Sequence, residues 1–453
     1  MKHLHLLYTL LFGVAVLLFF GLAYPHHLHY QEQYQLFLFD STYVWEIVKQ
    51  PGGIADLLGR FCTQFFLFAW VGALIIALLL SLMQLLLLRL LNVQWLYGLT
   101  FIPSFLLWLF LLDENALLGG VWAVLLTLLA IWVCVMAPSG WPRRILILIA
   151  IPVLYWIALG GSHYHRYPTV TPYLLYAAWL SAVILPFIVR ACHKWLSISS
   201  GSKNRGVALF TFVLVAVVMG TIVWKNANLK AEKVMQYDFM ACHQQWNRII
   251  ETINAEKPNN QIGVTVQNLA LAMHGILLEH MFDYNQNGIA GLLPDVKEDA
   301  TSPLPTAEAF YQLGMINVAQ RTVFEAQEAI LDFQKSGRCY KRLAETNLIN
   351  GQYEVARKYL TALQKTFFYC DWANETLQLL GNEKAIANHS EYGRLRQWAY
   401  KDDFYFSDHV TPEMLESLYS RNPDNRMVYQ YLLAYYMLTG DRERFNQFMS
   451  AKQ

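Results

Sequence analysis

The chain contains 453 residues, of which 55% are hydrophobic and only 15% are charged, and its formal net charge is +1. Because soluble domains usually carry about 25% charged residues, this composition excludes a disordered chain, a collagen-like chain and a nucleic-acid-binding protein that relies on overall positive charge. The halves differ: residues 1–225 contain 12 Lys and Arg against 6 Asp and Glu, whereas residues 226–453 contain 22 against 27. We therefore predict an all-α chain with a membrane domain followed by a soluble, slightly acidic domain.

The first half contains seven apolar stretches that are long enough, or nearly so, to cross a hydrocarbon core of about 30 Å as helices. They run near residues 4–23, 64–88, 94–112, 116–136, 145–161, 172–190 and 206–224. We predict about seven spans in a polytopic domain over residues 1–225. The first stretch ends in Gly21-Leu22-Ala23, which resembles a signal-peptide cleavage site, but an uncleaved anchor gives the odd span count that agrees with the charges.

Basic residues lie mostly on one side of the predicted spans. That side carries Lys2, Arg89, Arg143, Arg144, Arg190, Lys194, Lys203 and Arg205, whereas the short loops on the other side carry Lys49, Arg60 and Arg166. By the positive-inside rule the first side is cytoplasmic. The N-terminus is then cytoplasmic, and residues 226–453 lie outside, which for the inner membrane of a Gram-negative cell means the periplasm.

The outer loop over residues 24–63 is rich in aromatic side chains and is interrupted by Pro51-Gly52-Gly53. One helical face collects Tyr30, Tyr34, Phe37, Leu38, Trp45 and Val48, which predicts an amphipathic helix in the membrane interface. The acids Glu32, Asp40 and Asp56 allow two interpretations. In one they face a cavity and include a catalytic acid, as in the large lipid-linked-sugar glycosyltransferases that this topology resembles. In the other they are solvated side chains of an interfacial helix.

Histidines also concentrate on the outer side of the predicted membrane domain. They are His26, His27 and His29 in the first outer loop, and His163 and His165 in a later one. Imidazole is a common zinc and copper ligand, but no spacing of the HExxH kind occurs. We therefore predict histidines at the headgroup level and no metal site.

From about residue 226 the continuous apolar runs give way to amphipathic helices separated by Gly, Asn and Pro. We predict an almost entirely helical domain that begins with one long helix over residues 230–253. Helix–Gly–helix patterns occur at residues 269–277, 310–326, 343–360 and 431–441.

The clearest of these patterns, residues 343–360, resembles a tetratricopeptide repeat, with Ala344 at a close helix contact and Gly351 in the turn. The turn glycines are not spaced by multiples of about 34 residues, so we expect a degenerate or interrupted array. Stacked hairpins of this kind form a groove that binds protein segments, or else a rigid spacer.

Other local motifs do not indicate a specific chemistry. Residues 283–288 match the start of an EF-hand loop, but Pro294 stands where the bidentate Glu is required, so we expect a polar turn. Residues 402–403 and 407–409 hold catalytic-triad residue types, yet neighbours in one loop do not form a charge relay. No Gly-rich phosphate loop occurs, and we predict no cofactor. Cys242, Cys339 and Cys370 lack metal spacing, and one disulfide, such as Cys339 to Cys370, is compatible with their number.

Three segments, residues 30–39, 51–56 and 342–353, read YQEQYQLFLF, PGGIAD and RLAETNLINGQY. Together they resemble an uncharacterised family of Bacteroidetes integral membrane proteins, domain of unknown function 6057. The resemblance covers nearly the whole chain. It implies an inner-membrane location and brings no activity or catalytic residue with it.

Two functions from different classes remain as hypotheses. In the first, the protein is anchored in the bilayer and presents a helical-repeat domain to a protein or envelope-polymer partner in the periplasm. In the second, it is a lipid-linked-sugar-dependent glycosyltransferase that uses Glu32, Asp40 or Asp56. Whether it is an enzyme stays open. A transporter is disfavoured because none of the six acids of the first half lies in the middle of a span.

Overall fold

The computed structural model describes residues 2–91, 97–154, 156–157, 172–196, 203–295, 302–330, 334–400 and 411–450. These residues form helices and connecting turns and no β-strand, which confirms the predicted all-α class. The chain divides into two compact units, Met1–Glu232 and Lys233–Gln453. The division falls inside the helix Leu229–Cys242, whose residues up to Glu232 belong to the first unit and whose residues from Lys233 onward belong to the second.

The helices of the first unit include both long apolar ones and short ones between them. In chain order they are α1 Lys2–Leu18, α2 Pro25–Glu32, α3 Ser41–Val48, α4 Gly53–Thr63, α5 Ala69–Leu91, α6 Ile102–Phe110, α7 Leu118–Met136, α8 Trp141–Leu154, α9 Pro172–Leu196, α10 Lys203–Asn226 and α11 Leu229–Cys242. A π-helical turn, Phe19–Ala23, extends α1. A 3₁₀ turn, Tyr97–Phe101, precedes α6.

Four described helices are long and apolar enough to cross a membrane. They are His5–Ala23, Ala69–Leu91, Leu118–Met136 and Gly206–Asn226. Shorter apolar helices, Tyr97–Phe110 and Tyr173–Pro186, correspond to two further predicted spans. The predicted span 145–161 overlaps α8 but extends beyond the described residues. The described structure therefore contains four helices of spanning length where the sequence predicts seven.

A polar cluster joins α1, α5 and the 3₁₀ turn before α6. Thr9 donates through Oγ1 to Gln84 Oε1 at 2.8 Å, and Gln84 donates through Nε2 to Thr100 Oγ1 at 2.9 Å. The Tyr97 hydroxyl lies 2.8 Å from Thr9 Oγ1 and donates to the His5 carbonyl at 2.5 Å. In an apolar surrounding such hydrogen bonds hold helices together, so these buried side chains have a clear packing role.

The loop over residues 24–63 differs from the single amphipathic helix that the aromatic pattern predicts over residues 30–48. The chain forms α2, a segment without regular secondary structure over residues 35–40, and then α3. The side chain of Asp40 explains the restart, because it accepts hydrogen bonds from the first backbone N–H groups of α3. The predicted break at Pro51-Gly52-Gly53 is confirmed: Gly52 has φ of 78° and α4 begins at Gly53.

The second unit contains shorter helices joined mostly by tight turns. They are α12 Trp246–Glu256, α13 Gln261–Met273, α14 Leu277–His280, α15 Pro303–Leu313, α16 Ile316–Glu328, α17 Gly337–Ile349, α18 Tyr353–Leu363, α19 Cys370–Leu377, α20 Glu383–Asn388, α21 Tyr392–Trp398, α22 Pro412–Arg421, α23 Arg426–Thr439 and α24 Arg442–Ser450. The predicted long helix over residues 230–253 is wrong, because the chain turns between α11 and α12 with Gln244 at φ of 52°.

Each predicted helix–Gly–helix pattern is a pair of helices joined at a left-handed glycine. Gly275, Gly314, Gly351 and Gly440 have φ between 72° and 88°, a conformation that side chains with a Cβ rarely adopt. From α15 to α19 each helix packs against the next one in the chain. In addition, α13 contacts α15, and α21 contacts both α15 and α17. These contacts bury one shared apolar core for most of the unit.

The polar loop over residues 283–288 serves the fold. Asn285 donates to the carbonyls of Lys257 and Pro258, and Gln286 donates to the carbonyl of Met281. The described cysteines of this unit are free thiols, so the disulfide between Cys339 and Cys370 is not formed. Burial raises the pKa of the Cys339 thiol to about 11, which keeps it protonated and unreactive.

Candidate functional site

The acids proposed as catalytic candidates lie in different environments of the first unit. Asp40 is the N-cap of α3, where Oδ1 accepts from the backbone N–H groups of Thr42 at 3.0 Å and Tyr43 at 3.1 Å. Glu32 is the last residue of α2, and its side chain is buried. Asp40 therefore has a capping role that accounts for an acidic residue at this position.

Asp56 forms an ion pair within α4. The guanidinium of Arg60 donates to Asp56 Oδ2 from Nε at 2.9 Å and approaches it from Nη2 at 2.7 Å. Only 7% of the Asp56 side chain and 12% of the Arg60 side chain are exposed. Tyr43 is half-buried beside this pair, and its desolvation raises the pKa of its hydroxyl, which donates to the Leu36 carbonyl at 3.0 Å. The carboxylate of Asp56 is thus neutralised within its own helix.

His26 and His27 lie at the beginning of α2, beside Glu232, a residue that no sequence pattern singles out. The backbone N–H groups of His26 and His27 donate to the two carboxylate oxygens of Glu232, at 2.8 Å and 2.9 Å. The backbone N–H of Asn228 donates to the Tyr24 hydroxyl. An anion at a helix N-terminus satisfies backbone donors and interacts favourably with the helix dipole. Glu232 therefore fixes the start of α2.

No group of three or more His, Cys, Asp or Glu side chains suited to a metal occurs among the residues that the structure describes. His163 and His165, and the triad-type residues at 402–403 and 407–409, lie outside the described residues. Asp40 and Asp56 thus occupy a capping and an ion-pair position, and Glu32, His26 and His27 are buried, all within the first unit.

The second unit contains a buried charge network on α15 and α17. Arg342 approaches Glu308 at 2.6 Å and Glu345 at 2.8 Å, and its guanidinium carbon lies 3.6 Å from the Tyr311 ring centroid. Burial raises the pKa of the Glu345 carboxyl, although the positive charge of Arg342 opposes this shift. Because each of its charged members has a partner, the network joins the two helices.

The described residues of the second unit form an open cleft of about 610 Å³. Four segments line it: the end of α13 with its turn, α14, α21, and the start of α23. Its lining includes Met273, Glu279, Arg394, Trp398, Asp424, Arg426, Met427 and Tyr429. The volume lies in the range of about 300–1,000 Å³ that is usual for ligand sites.

Two side chains hold the walls of this cleft in place. Gln430 donates to the Ala272 carbonyl at 3.2 Å and accepts from the Leu277 N–H at 3.2 Å, which fixes the turn between α13 and α14. Asn425 donates to the Leu313 carbonyl at 2.9 Å and accepts from the Val428 N–H at 3.2 Å, which caps α23. These contacts join segments more than 100 residues apart, so sequence patterns contained no signal for the cleft.

The comparisons with known proteins identify a family without an assigned activity. A family model described as a family of unknown function (DUF6057) matches residues 1–164 and 157–453. No curated protein and no solved structure matches the chain. Since the matched segments together extend over the whole chain, the protein belongs to this family of unknown function.

Proposed function

We propose that this protein is an integral membrane protein that presents its second unit, Lys233–Gln453, as a binding module for a partner protein. In this proposal the first unit crosses the bacterial inner membrane about seven times, the N-terminus is cytoplasmic, and the second unit is a tetratricopeptide-like module in the periplasm. An envelope polymer is the alternative partner.

The exposed surface of the first unit supports the membrane part of the proposal. On α10, Phe210 is 65% exposed, Val217 is 61% exposed and Trp224 is 59% exposed. In water such a continuous apolar helix surface would favour aggregation, whereas lipid covers it without cost. On the outer loop, Phe39 and Trp45 are also more than half exposed, as expected for side chains at a membrane interface.

The main support for a binding role of the second unit is the cleft between α13, α14, α21 and α23. Its walls come from helix pairs that are distant in sequence, and its lining combines charged, aromatic and methionine side chains. Stacked helix pairs commonly bind peptides or protein segments in such openings. The outer-loop acids support an enzyme less well, because Asp40 caps a helix and Asp56 is paired with Arg60.

Site-specific photo-crosslinking in the native host tests this proposal. A photoreactive residue replaces Tyr429, which lines the cleft, and in a matched strain it replaces the exposed Lys358 on α18. We expect a discrete, protease-sensitive adduct from position 429 and none from position 358. Equal adduct patterns at both positions, or no adduct at position 429, would contradict a binding role for the cleft, and a protease-resistant adduct would identify the polymer alternative.

A further inference from the structure

One arginine in the cleft has an unusual environment. Arg394 is partly buried, and its guanidinium carbon lies 5.0 Å from the centroid of the Trp398 ring. Its Nη2 donates one long hydrogen bond of 3.4 Å to Gln312 Oε1. Its Nε is buried and has no hydrogen-bond acceptor. Within the described part of the chain, Arg394 forms no ion pair with a carboxylate.

The other partly buried arginines described in this unit all have carboxylate partners. Arg321 pairs with Glu325, Arg338 with Asp238, Arg342 with Glu308 and Glu345, and Arg396 with Glu383. The fold therefore neutralises buried guanidinium groups as a rule, and Arg394 departs from that rule where the chain forms an open cleft.

The environment of Arg394 is suited to an external carboxylate. A guanidinium group away from bulk water gains most from a charge-assisted, two-point hydrogen bond with a carboxylate. The Trp398 ring lies within cation–π range of the guanidinium, which helps to keep it in place before a ligand arrives. Resting on the proposed function, we propose that the cleft binds an acidic polypeptide segment, with Arg394 pairing with one carboxylate of that segment.

The rest of the lining indicates what surrounds that carboxylate. Met273 and Met427 provide adaptable apolar surface for neighbouring side chains. Glu279 and Asp424 line the cleft together with Arg394 and Arg426, so the lining has no excess of positive charge to hold a ligand with continuous negative charge. A segment with one acidic group between apolar residues fits this lining better than a polyanionic polymer does.

Binding of full-length, detergent-solubilised protein to a peptide array tests this inference. The array carries three matched sets of 12-residue peptides. The first set has one central glutamate between leucines and an amidated C-terminus. The second set replaces the glutamate by glutamine and keeps the amidated C-terminus. The third set also has glutamine but ends in a free C-terminal carboxylate. We expect at least about tenfold more protein on the glutamate set than on the glutamine set. If the third set retains as much protein as the glutamate set, the carboxylate that Arg394 binds can be the C-terminus of the segment.

Two substitutions connect the result to Arg394. Arg394→Gln should reduce the glutamate-to-glutamine ratio to about one, and Arg394→Lys, which keeps the charge but loses the planar donor pair, should give an intermediate ratio. Arg357→Gln on α18 is the matched control because this side chain is half exposed and lies outside the cleft. Circular dichroism melting of each variant checks that the fold is retained.

A third substitution separates failure of this inference from failure of the proposed function. Met273→Trp places a bulkier side chain in the wall of the cleft and obstructs it. Suppose that Met273→Trp abolishes retention on every peptide set, whereas Arg394→Gln leaves the glutamate-to-glutamine ratio unchanged. The carboxylate inference is then overturned, but the binding role of the cleft stands. If retention persists in Met273→Trp, or if the wild-type protein retains no set, the carboxylate inference is overturned, and the crosslink at position 429 decides whether the binding role stands. A protease-resistant polymer captured at position 429 overturns the peptide ligand.

Discussion

Asp40 offers a direct choice between a capping role and a catalytic role. Its carboxylate accepts two backbone hydrogen bonds at the start of α3, and Asn is as good an N-cap as Asp. We expect Asp40→Asn to leave the melting temperature of the full-length protein nearly unchanged, whereas Asp40→Ala should cost about 1 kcal/mol of stability. A catalytic acid would behave differently, because Asn and Ala would both abolish an envelope-glycan phenotype at normal protein levels.

The ion pair of Asp56 with Arg60 should be destabilising when only one partner is removed. Asp56→Asn leaves a buried guanidinium without its counter-charge, and breaking a buried pair in this way typically costs about 3–5 kcal/mol. The double variant Asp56→Leu with Arg60→Met should recover most of that loss, because apolar residues of similar volume replace both charges. Thermal melting in detergent measures all three proteins. Equal destabilisation by the single and double variants would contradict a structural role.

These residue roles differ in how far the sequence could reveal them. Asp40 directly precedes a Ser-Thr helix start, and Asp56 stands four residues before Arg60, so a local search for caps and i,i+4 pairs identifies both. Glu232, in contrast, binds backbone groups more than 200 positions away. No local pattern contains such a contact. By its position after residue 226, Glu232 belongs to the predicted soluble domain, whereas the structure places it in the first unit.

At the scale of single elements, Glu232 should control the stability of α2. A glutamine at this position keeps one acceptor oxygen but loses the charge and the second hydrogen bond, for a cost of about 0.5–2 kcal/mol. We expect Glu232→Gln to accelerate amide hydrogen exchange in residues 25–32. The control Glu46→Gln changes an exposed acid on α3 and should leave the exchange of α2 unchanged. If both variants behave alike, Glu232 does not fix α2.

The turn glycines were predictable because only glycine adopts their backbone conformation without strain. The turn at Gln244 was not predictable, because no Gly or Pro marks it. The non-helical segment over residues 35–40 was not predictable either, because tertiary packing there overrides a helical sequence pattern. The cleft was unpredictable for a further reason: it forms where α13, α21 and α23 meet, and their pairing depends on side chains distant in sequence.

Two of these glycines should respond differently to alanine. Both Gly314 and Gly440 have positive φ, so each substitution costs about 1–2 kcal/mol from backbone strain. At Gly314 the added Cβ would also lie 2.9 Å from the Cβ of Trp398, whereas at Gly440 it would meet open space. We expect Gly314→Ala to lower the local opening free energy of α15 and α16, measured by hydrogen exchange, more than Gly440→Ala lowers that of α23 and α24. Equal effects would mean that the contact with Trp398 is not close.

At the scale of the whole molecule, the parity of the span count decides which compartment receives the second unit. An even number of spans, such as the four long apolar helices alone, would place both ends of the chain on one side of the membrane. An odd number, such as seven, would place them on opposite sides. The excess of basic residues on the side of Lys2 favours a cytoplasmic N-terminus, so only an odd count brings the cleft to the periplasm.

A ladder of reporter fusions tests the sidedness. Alkaline phosphatase, which is active only outside the cytoplasm, is fused after Gln453, after Pro142 and after Asp113. Seven spans with a cytoplasmic N-terminus predict activity after Gln453 and after Asp113 and none after Pro142, with green fluorescent protein fusions giving the opposite pattern. The short apolar helix Tyr97–Phe110 is the critical element, because the fusion after Asp113 changes sides only if that helix crosses the membrane. Fluorescence after Gln453 without phosphatase activity would place the cleft in the cytoplasm, and its carboxylate ligand would then have to come from a cytoplasmic protein.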